Sequence, residues 1–212
     1  MGRVFLVEDL LKGGLPVALK TLRRGLFSEA AVERFKEEFR AMTRLRHPNL
    51  AAVQDFGVLE ENGEPFLTLE YLDGKDLSRF TKAEIRPRLP ELIAQLCRAL
   101  DYIHVRGVLH NDIKPQNIFL LSAPGEEEEG RFHAKLMDFG LARLADRGGD
   151  SRRSGTVHYA APELLAGGKV DARSDLYSLG VLLYRLAAWR LGGVIAVNRP
   201  LNGDDARAFL VD

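Results

Sequence analysis

Residues 110–117 read His110-Asn111-Asp112-Ile113-Lys114-Pro115-Gln116-Asn117, and this stretch decides the fold class of the chain. Two motifs follow it, Asp138-Phe139-Gly140 and Ala161-Pro162-Glu163, and the segment Val17-Ala18-Leu19-Lys20 precedes it. Each piece alone could arise by chance. Their order within one chain predicts that they belong to one site.

This set of motifs resembles the signature of the eukaryotic-type (Hanks-type) serine/threonine protein kinase catalytic domain, in a form similar to its bacterial members. The resemblance covers about residues 2–189. It implies transfer of the γ-phosphate of ATP to Ser or Thr hydroxyls of a protein substrate, with Mg²⁺. That chemistry depends mainly on positioning and on neutralising phosphate charge.

The resemblance implies an α+β, two-lobed protein-kinase-like fold. Its N-lobe, residues 1–72, is expected to be an antiparallel sheet plus one helix, and its C-lobe, residues 73–212, to be mainly helical and incomplete. Hydrophobic spacing and turn residues predict strands at 4–7, 15–22, 50–58, 66–71, 108–109, 118–121 and 134–137, and helices at 28–46, from Pro90 onward, and at 175–189.

Bulk composition excludes several classes of protein. Lysine plus arginine and aspartate plus glutamate both number 30, so net charge indicates no nucleic-acid partner. The most apolar stretch, residues 176–197, is interrupted by Arg185 and Arg190, so we expect no membrane insertion. The single cysteine, Cys97, fits a reducing compartment, and its apolar surroundings predict a buried thiol. A cytoplasmic protein is the expectation.

Lys20 requires an anionic partner if it is to hold nucleotide phosphates. Glu38 lies three residues after Phe35 and four before Met42, on the apolar stripe of the helix predicted at 28–46. A carboxylate on a buried face needs a cation. We therefore predict a Lys20–Glu38 ion pair.

The resemblance assigns catalytic and metal roles to residues of the later motifs. Asp112 would accept or orient the proton of the substrate hydroxyl, and Lys114 would neutralise charge on the transferring phosphoryl group. Asn117 and Asp138 would coordinate Mg²⁺, a hard cation that prefers oxygen ligands. Thr156, after Gly155, would support the hydroxyl of the substrate. A loop-capping role would explain any one of the polar residues alone, but not their common order and spacing.

The resemblance also supplies a nucleotide pocket and the parts that hold it together. Leu69 matches the gatekeeper, Glu70 to Leu72 the hinge that pairs with adenine through its backbone, and Asp76 a ribose contact. Val4, Ala18 and Phe119 would enclose the adenine ring. Asp175 resembles the helix residue that anchors the catalytic loop.

The pattern departs from the family at several places. Asn111 stands where an arginine usually binds a phosphorylated activation segment, so we expect activity without that phosphorylation. Gly2 matches only the final glycine of the glycine-rich loop, and the resemblance fades after about residue 189. The expectation is a domain truncated at both ends, from a longer parent with flanking domains, in which Glu163 lacks its arginine partner.

Two other functions remain open on the sequence. A catalytically impaired fragment or pseudokinase would act as a binding or scaffold module. Its weakness is that Lys20, Asp112, Asn117 and Asp138 are all present. A small-molecule kinase is disfavoured by Gly155-Thr156 and Ala161-Pro162-Glu163, which resemble segments of protein-directed members.

Overall fold

The computed structural model describes residues 3–21, 39–40, 42–61, 63–121, 132–138 and 158–187. Short 3₁₀ turns cover Leu10–Lys12, Leu77–Arg79, Arg86–Arg88 and Pro115–Asn117. In chain order the strands and α-helices are β1 (Val4–Asp9), β2 (Leu15–Thr21), β3 (Val53–Val58), β4 (Pro65–Glu70), β5 (Lys75–Asp76), α1 (Lys82–Ile85), α2 (Leu89–His104), β6 (Ile118–Leu121), β7 (His133–Leu136), α3 (Pro162–Leu165) and α4 (Ala172–Ala187). Antiparallel sheets together with separate helices confirm the α+β class.

The first sheet is antiparallel throughout and has the strand order β1-β2-β4-β3. The β1–β2 connection turns at Gly13 and Gly14, whose positive φ angles of 73° and 79° favour glycine. Ala18 pairs with Leu6 on one side and with Leu69 on the other. Directly paired residues share a face, so Ala18, Leu69 and the alternate residue Lys20 lie on the same side of this sheet.

The second sheet has the order β5-β6-β7 and begins just after the first sheet ends. The connector between them passes so close to β6 that a Cβ atom on Gly74 would lie 2.5 Å from the carbonyl oxygen of Leu120. Only glycine allows that approach. The division of the chain into lobes at residue 72 stays a prediction.

Helix α2 presents one apolar face to the core. Its first turn contains Pro90, where a missing N–H costs no helical hydrogen bond. The residues Leu92, Leu96, Ala99, Leu100 and Ile103 are all buried. Cys97 is exposed, so the prediction of a buried thiol is wrong. The apolar composition of the stretch concealed that Cys97 lies off the buried stripe.

Several sequence-based boundaries shift in the structure. The strand predicted from Leu50 begins at Val53, because Leu50 instead forms an isolated parallel bridge with Leu136. Val108 and Leu109 form no strand; the N–H of Val108 closes the end of α2 by donating to Ile103. The helix predicted from Asp175 begins at Ala172. Most of the helix predicted at 28–46 lies outside the described residues.

Hydrogen bonds from the backbone join the two sheets. The N–H of Ala51 donates to the carbonyl of Leu136 (3.0 Å), and the N–H of Leu136 donates to Asn49 (2.9 Å). The side chains of Leu50, Leu67, Leu69, Leu120 and Leu136 belong to one continuous buried cluster. Burying each such side chain contributes about 1.5–3 kcal/mol. The segments that carry the motifs are therefore held on a common core.

Candidate active site

A buried carboxylate shapes the loop that contains residues 110–112. Asp175, near the start of α4, is fully buried and accepts the backbone N–H of His110 (2.8 Å) and of Asn111 (2.7 Å). The Nε2 atom of His104 lies 2.8 Å from the same carboxylate. Charge-assisted bonds of this kind are the stronger class of hydrogen bond. The structure thus places Asp175 where the sequence predicted a loop anchor.

Asn111 adopts a left-handed backbone conformation, with φ of 62°. Asparagine tolerates this region better than most residues, because its short polar side chain avoids the clash of larger ones. The strained residue directly precedes Asp112. Its amide Oδ1 and Nδ2 are buried, and neither has a hydrogen-bond partner within the part of the chain that the structure describes.

His110 is buried beneath the loop. Its Nδ1 accepts the N–H of Asp112 (3.1 Å), so its proton lies on Nε2, which faces the carbonyl of Met137 at 3.0 Å. Burial lowers the pKa of the His110 imidazole, against a smaller opposing effect of Asp175 and Asp112. The neutral ring therefore joins the loop to the segment after β7.

The two carboxylate oxygens of Asp112 differ in their hydrogen bonds. Lys114 Nζ donates to its Oδ2 (2.7 Å), and Asn117 Nδ2 donates to the same oxygen (2.9 Å) and to the Asp112 carbonyl (2.8 Å). The other oxygen, Oδ1, is buried and has no hydrogen-bond partner within the described ranges. These contacts orient the carboxylate and leave one of its atoms for a further donor.

The β6–β7 hairpin brings Asn117 and Asp138 together. Asn117 directly precedes β6 and Asp138 follows β7, while Ile118 pairs with Leu136 in antiparallel register. The N–H of Met137 extends the ladder by donating to the Asn117 carbonyl (2.9 Å). An antiparallel pair places the start of one strand beside the end of the other. The two predicted metal ligands therefore lie at one end of the sheet.

Asp138 is paired with Lys20 from the first sheet. Lys20 Nζ lies 2.6 Å from Asp138 Oδ2. Asp138 Oδ1 is buried without a hydrogen-bond partner among the residues described. Like Asn111, Asp138 has a φ of 62°, a conformation that aspartate tolerates when the surroundings hold it.

The donor set at this end of the sheet fits Mg²⁺. Asp138 provides a hard carboxylate oxygen that no described donor takes, and Asn117 turns its amide nitrogen toward Asp112, which leaves the carbonyl oxygen as its ligand atom. In the described segments no group of three or more His, Cys, Asp or Glu could hold a metal alone. Mg²⁺ is commonly bound by one or two protein oxygens together with phosphate oxygens and water.

The residues predicted to contact adenine lie on the two sheets and on the connector between them. In the first sheet Val4 pairs with Lys20, and Ala18 pairs with Leu69, which is buried. In the second sheet Phe119 pairs with Asp76 of β5. Leu72 lies in the connector between the sheets, after Glu70 ends β4. The fold thus puts these predicted contacts on the two elements that flank the connector.

Asp76 has a structural contact of its own. Its Oδ1 accepts the N–H and the hydroxyl of Ser78, capping the 3₁₀ turn Leu77–Arg79, and its Oδ2 lies 3.5 Å from Arg79 Nε. A ribose contact would have to share this carboxylate.

Two predicted catalytic residues, Glu38 and Thr156, lie outside the described residues. Their roles stay predictions, including the Lys20–Glu38 pair.

Glu163 has a hydrogen-bond partner in the structure, and the expected lack of an arginine partner stays a prediction. The hydroxyl of Ser174 donates to its Oε1. Ser174 is buried one position before Asp175, so the contact ties the Ala161-Pro162-Glu163 motif to the helix that anchors the catalytic loop.

Sequence reasoning missed a buried polar pair behind the site. Gln95 Oε1 accepts both Asn49 Nδ2 and the N–H of Ala134, each at 2.8 Å, and Asn49 Nδ2 also donates to the Ala134 carbonyl (2.8 Å). The available signal was Gln95 itself, a polar residue on the apolar stripe of α2 beside Leu92 and Leu96. Buried amides almost always have hydrogen-bond partners.

The geometry agrees with comparisons to known proteins. Residues 1–191 match the family model described as the protein kinase domain. The chain is 39% identical, over 99% of its length, to the serine/threonine-protein kinase pkn2 of Myxococcus xanthus, and 38% identical, over 96%, to PknB of Mycobacterium tuberculosis. It is also similar to the crystal structure of the Mycobacterium tuberculosis PknI kinase domain, with a TM-score of 0.62 and 32% identity, covering 88% of this chain and 68% of that one.

The matched region is only part of the curated relatives. The chain spans 24% of the length of pkn2 and 32% of that of PknB. Within the described ranges no helix is both long and apolar enough to cross a bilayer. The family match, the relatives and the site geometry agree: this chain belongs to the protein kinase family, in the bacterial-like Hanks-type form.

Proposed function

We propose that this domain transfers the γ-phosphate of ATP to Ser or Thr hydroxyls of protein substrates, with Mg²⁺. The observation that carries the proposal is the state of Asp112. Two donors hold its Oδ2, while Oδ1 is left without a described partner. A fixed carboxylate with one available oxygen suits a group that must orient an incoming hydroxyl.

In the proposed reaction, Asp112 Oδ1 is the proton acceptor for phosphoryl transfer. The substrate hydroxyl oxygen forms a bond to the γ-phosphorus, the bond from that phosphorus to the bridging oxygen breaks, and ADP leaves with the electron pair. Asp112 Oδ1 accepts the hydroxyl proton. Lys114, 2.7 Å from the other carboxylate oxygen, provides positive charge beside the transferring group.

Asp138 and Asn117 would hold Mg²⁺ at the end of the β6–β7 hairpin. A bound ion would supply positive charge that neutralises the phosphate groups there. Lys20 would then bind phosphate. Its ammonium lies 2.6 Å from the Asp138 carboxylate, close to the proposed Mg²⁺ position. We propose that adenine lies between residues 1–72 and 73–212, against Val4, Ala18, Leu69, Phe119 and the backbone of Glu70 to Leu72.

The choice of serine and threonine rests on relatives that carry the name serine/threonine-protein kinase. Lys114 supports it, because tyrosine kinases generally lack a lysine at the matching place. ATP is the proposed donor, so we place the domain in the cytoplasm, where ATP is abundant.

The test is transfer of labelled γ-phosphate to a generic basic protein by the folded domain with Mg²⁺. Asp112→Asn should lower the rate at least about 100-fold, because it removes the proton acceptor. Nucleotide affinity should change little. Asp171→Asn is the matched control, since Asp171 is an exposed carboxylate paired with Arg173.

The same experiment separates the competing function. A folded wild type that binds nucleotide but transfers no phosphate would contradict the proposal and support a binding or scaffold role. Activity that persists in Asp112→Asn would show that another group performs the step.

A further inference from the structure

An ion pair lies behind the connector, outside the catalytic cluster. Lys135 Nζ, on β7, is 2.7 Å from both carboxylate oxygens of Glu70, the last residue of β4. Glu70 Oε2 also accepts the N–H of Ala52 (3.1 Å). Neither side chain is fully exposed, so water screens this pair less than an ordinary surface pair.

The side chain of Glu70 points away from the proposed adenine face. Leu67 and Leu69 alternate with it along β4 and are buried on the other side, where Leu69 pairs with Ala18. Only the backbone of Glu70 is available to adenine in the proposed pocket. Its carboxylate can influence the nucleotide only through position.

Lys135 lies on the face of the hairpin that carries Phe119. The two residues are direct cross-strand partners, while Ile118, Leu120, Ala134 and Leu136 face the buried core. Phe119 is the proposed contact below adenine. Lys135, which binds the end of β4, therefore lies on β7, the strand paired with the strand of Phe119. Asp138 comes two residues after β7 ends.

Backbone contacts support the pair from one side. Ala51 and Asn49 bond to Leu136, next to Lys135, and Ala52 bonds to Glu70 through its N–H and its carbonyl. The Lys135–Glu70 pair adds an ionic side-chain contact between the end of β4 and β7.

We propose that Lys135 and Glu70 are positioning residues, which set the distance between the adenine-pairing backbone after Leu69 and the hairpin that carries Phe119 and Asp138. The inference rests on the proposed function, because it refers to the nucleotide pocket of that same site. Losing the pair should weaken nucleotide binding more than it slows the chemical step, because neither side chain touches the reacting atoms.

The test measures affinity and turnover separately. Lys135→Met should raise the Kd for a non-hydrolysable ATP analogue and the KM for ATP about tenfold, the size expected for one charge-assisted hydrogen-bonded pair. Turnover at saturating ATP should fall less than about threefold. Glu70→Gln should behave similarly, and Lys135→Arg should keep near-wild-type affinity because it restores the cation.

A double variant tests the pairing itself. Glu70→Lys combined with Lys135→Glu should recover part of the affinity lost in either single change, which a purely local effect would not do. Lys12→Met is the matched control. Lys12 lies in the turn between β1 and β2 and pairs with Asp9 and Asp55 at the surface, so its replacement should leave the Kd unchanged.

The outcomes distinguish this inference from the proposed function. A wild-type Kd in folded Lys135→Met, or loss of thermal stability alone, overturns the positioning role even if the domain is an active kinase. A wild type that binds nucleotide without transferring phosphate refutes the proposed function, but weaker binding in Lys135→Met would still support the inference. A wild type that binds no nucleotide overturns both.

Discussion

The ammonium of Lys20 lies 2.6 Å from the carboxylate of Asp138, although 118 positions separate the two residues in the sequence. The pair joins β2 of the first sheet to the residues after β7. Both side chains are largely buried, at 20% and 17% exposure. The group expected to bind phosphate and the group expected to bind Mg²⁺ are thus in direct contact. Under the proposed function, a nucleotide–metal complex would have to separate these two attracting charges.

Lys20→Met should lower nucleotide affinity and should reduce kcat/KM for ATP about 100-fold or more, because it removes a positive charge placed for phosphate. It also leaves the Asp138 carboxylate without its described cation. Titration calorimetry and initial rates measure the two effects. Retention of both affinity and turnover would contradict the role of Lys20, whereas Lys12→Met should resemble the wild type.

Asp175→Asn should destabilise the domain by about 2–4 kcal/mol. The amide replaces a carboxylate oxygen with a donor, so the N–H of His110 or of Asn111 loses its acceptor inside the protein. Urea unfolding measures the change. Asp101→Asn, at an exposed aspartate of α2, should leave the midpoint in place, and equal effects of the two substitutions would refute the anchoring role.

Gln95→Leu should cost about 1–3 kcal/mol, even though leucine is the more apolar residue. It would leave the N–H of Ala134 without its acceptor and remove one of the two acceptors of Asn49 Nδ2. The free energy of unfolding in urea is the measurement, with Gln54→Leu as control because Gln54 bonds only to an exposed Lys12 among the described contacts. A neutral or stabilising result would contradict the buried network.

Stability should fall as pH drops below about 6.5, the ordinary pKa of histidine. Burial lowers the pKa of His110, so below that pH the unfolded chain binds a proton that the folded one resists, and stability rises with pH across this window. Burial acts in the same direction on the pKa of His47. Unfolding in urea between pH 5 and pH 8 should show a weaker pH dependence in His110→Gln. An unchanged dependence would exclude His110 as a source.

The spacing of the apolar residues and of the motifs predicted the fold class and many of the strands and helices. The strand at 118–121 and the helix beginning near Pro90 were confirmed, because a short apolar run between loops and a first-turn proline are local signals. The predictions for Val108–Leu109 and Cys97 were wrong for a different reason. An apolar pair becomes a strand only if another strand pairs with it, and burial on a helix depends on which face meets the core.

The sequence alone determined which chemical groups are present and in what order: a lysine on an early strand, Asp112, Lys114 and Asn117 in one loop, and Asp138 beyond it. Local rules also placed Asn117 and Asp138 next to strands. Only the tertiary structure decided the partners: Lys20 with Asp138, Asp175 with the catalytic loop, Gln95 with Asn49, and Lys135 with Glu70. Those contacts depend on strand register and on how the two sheets share a core, and both arise from packing between segments far apart in the chain.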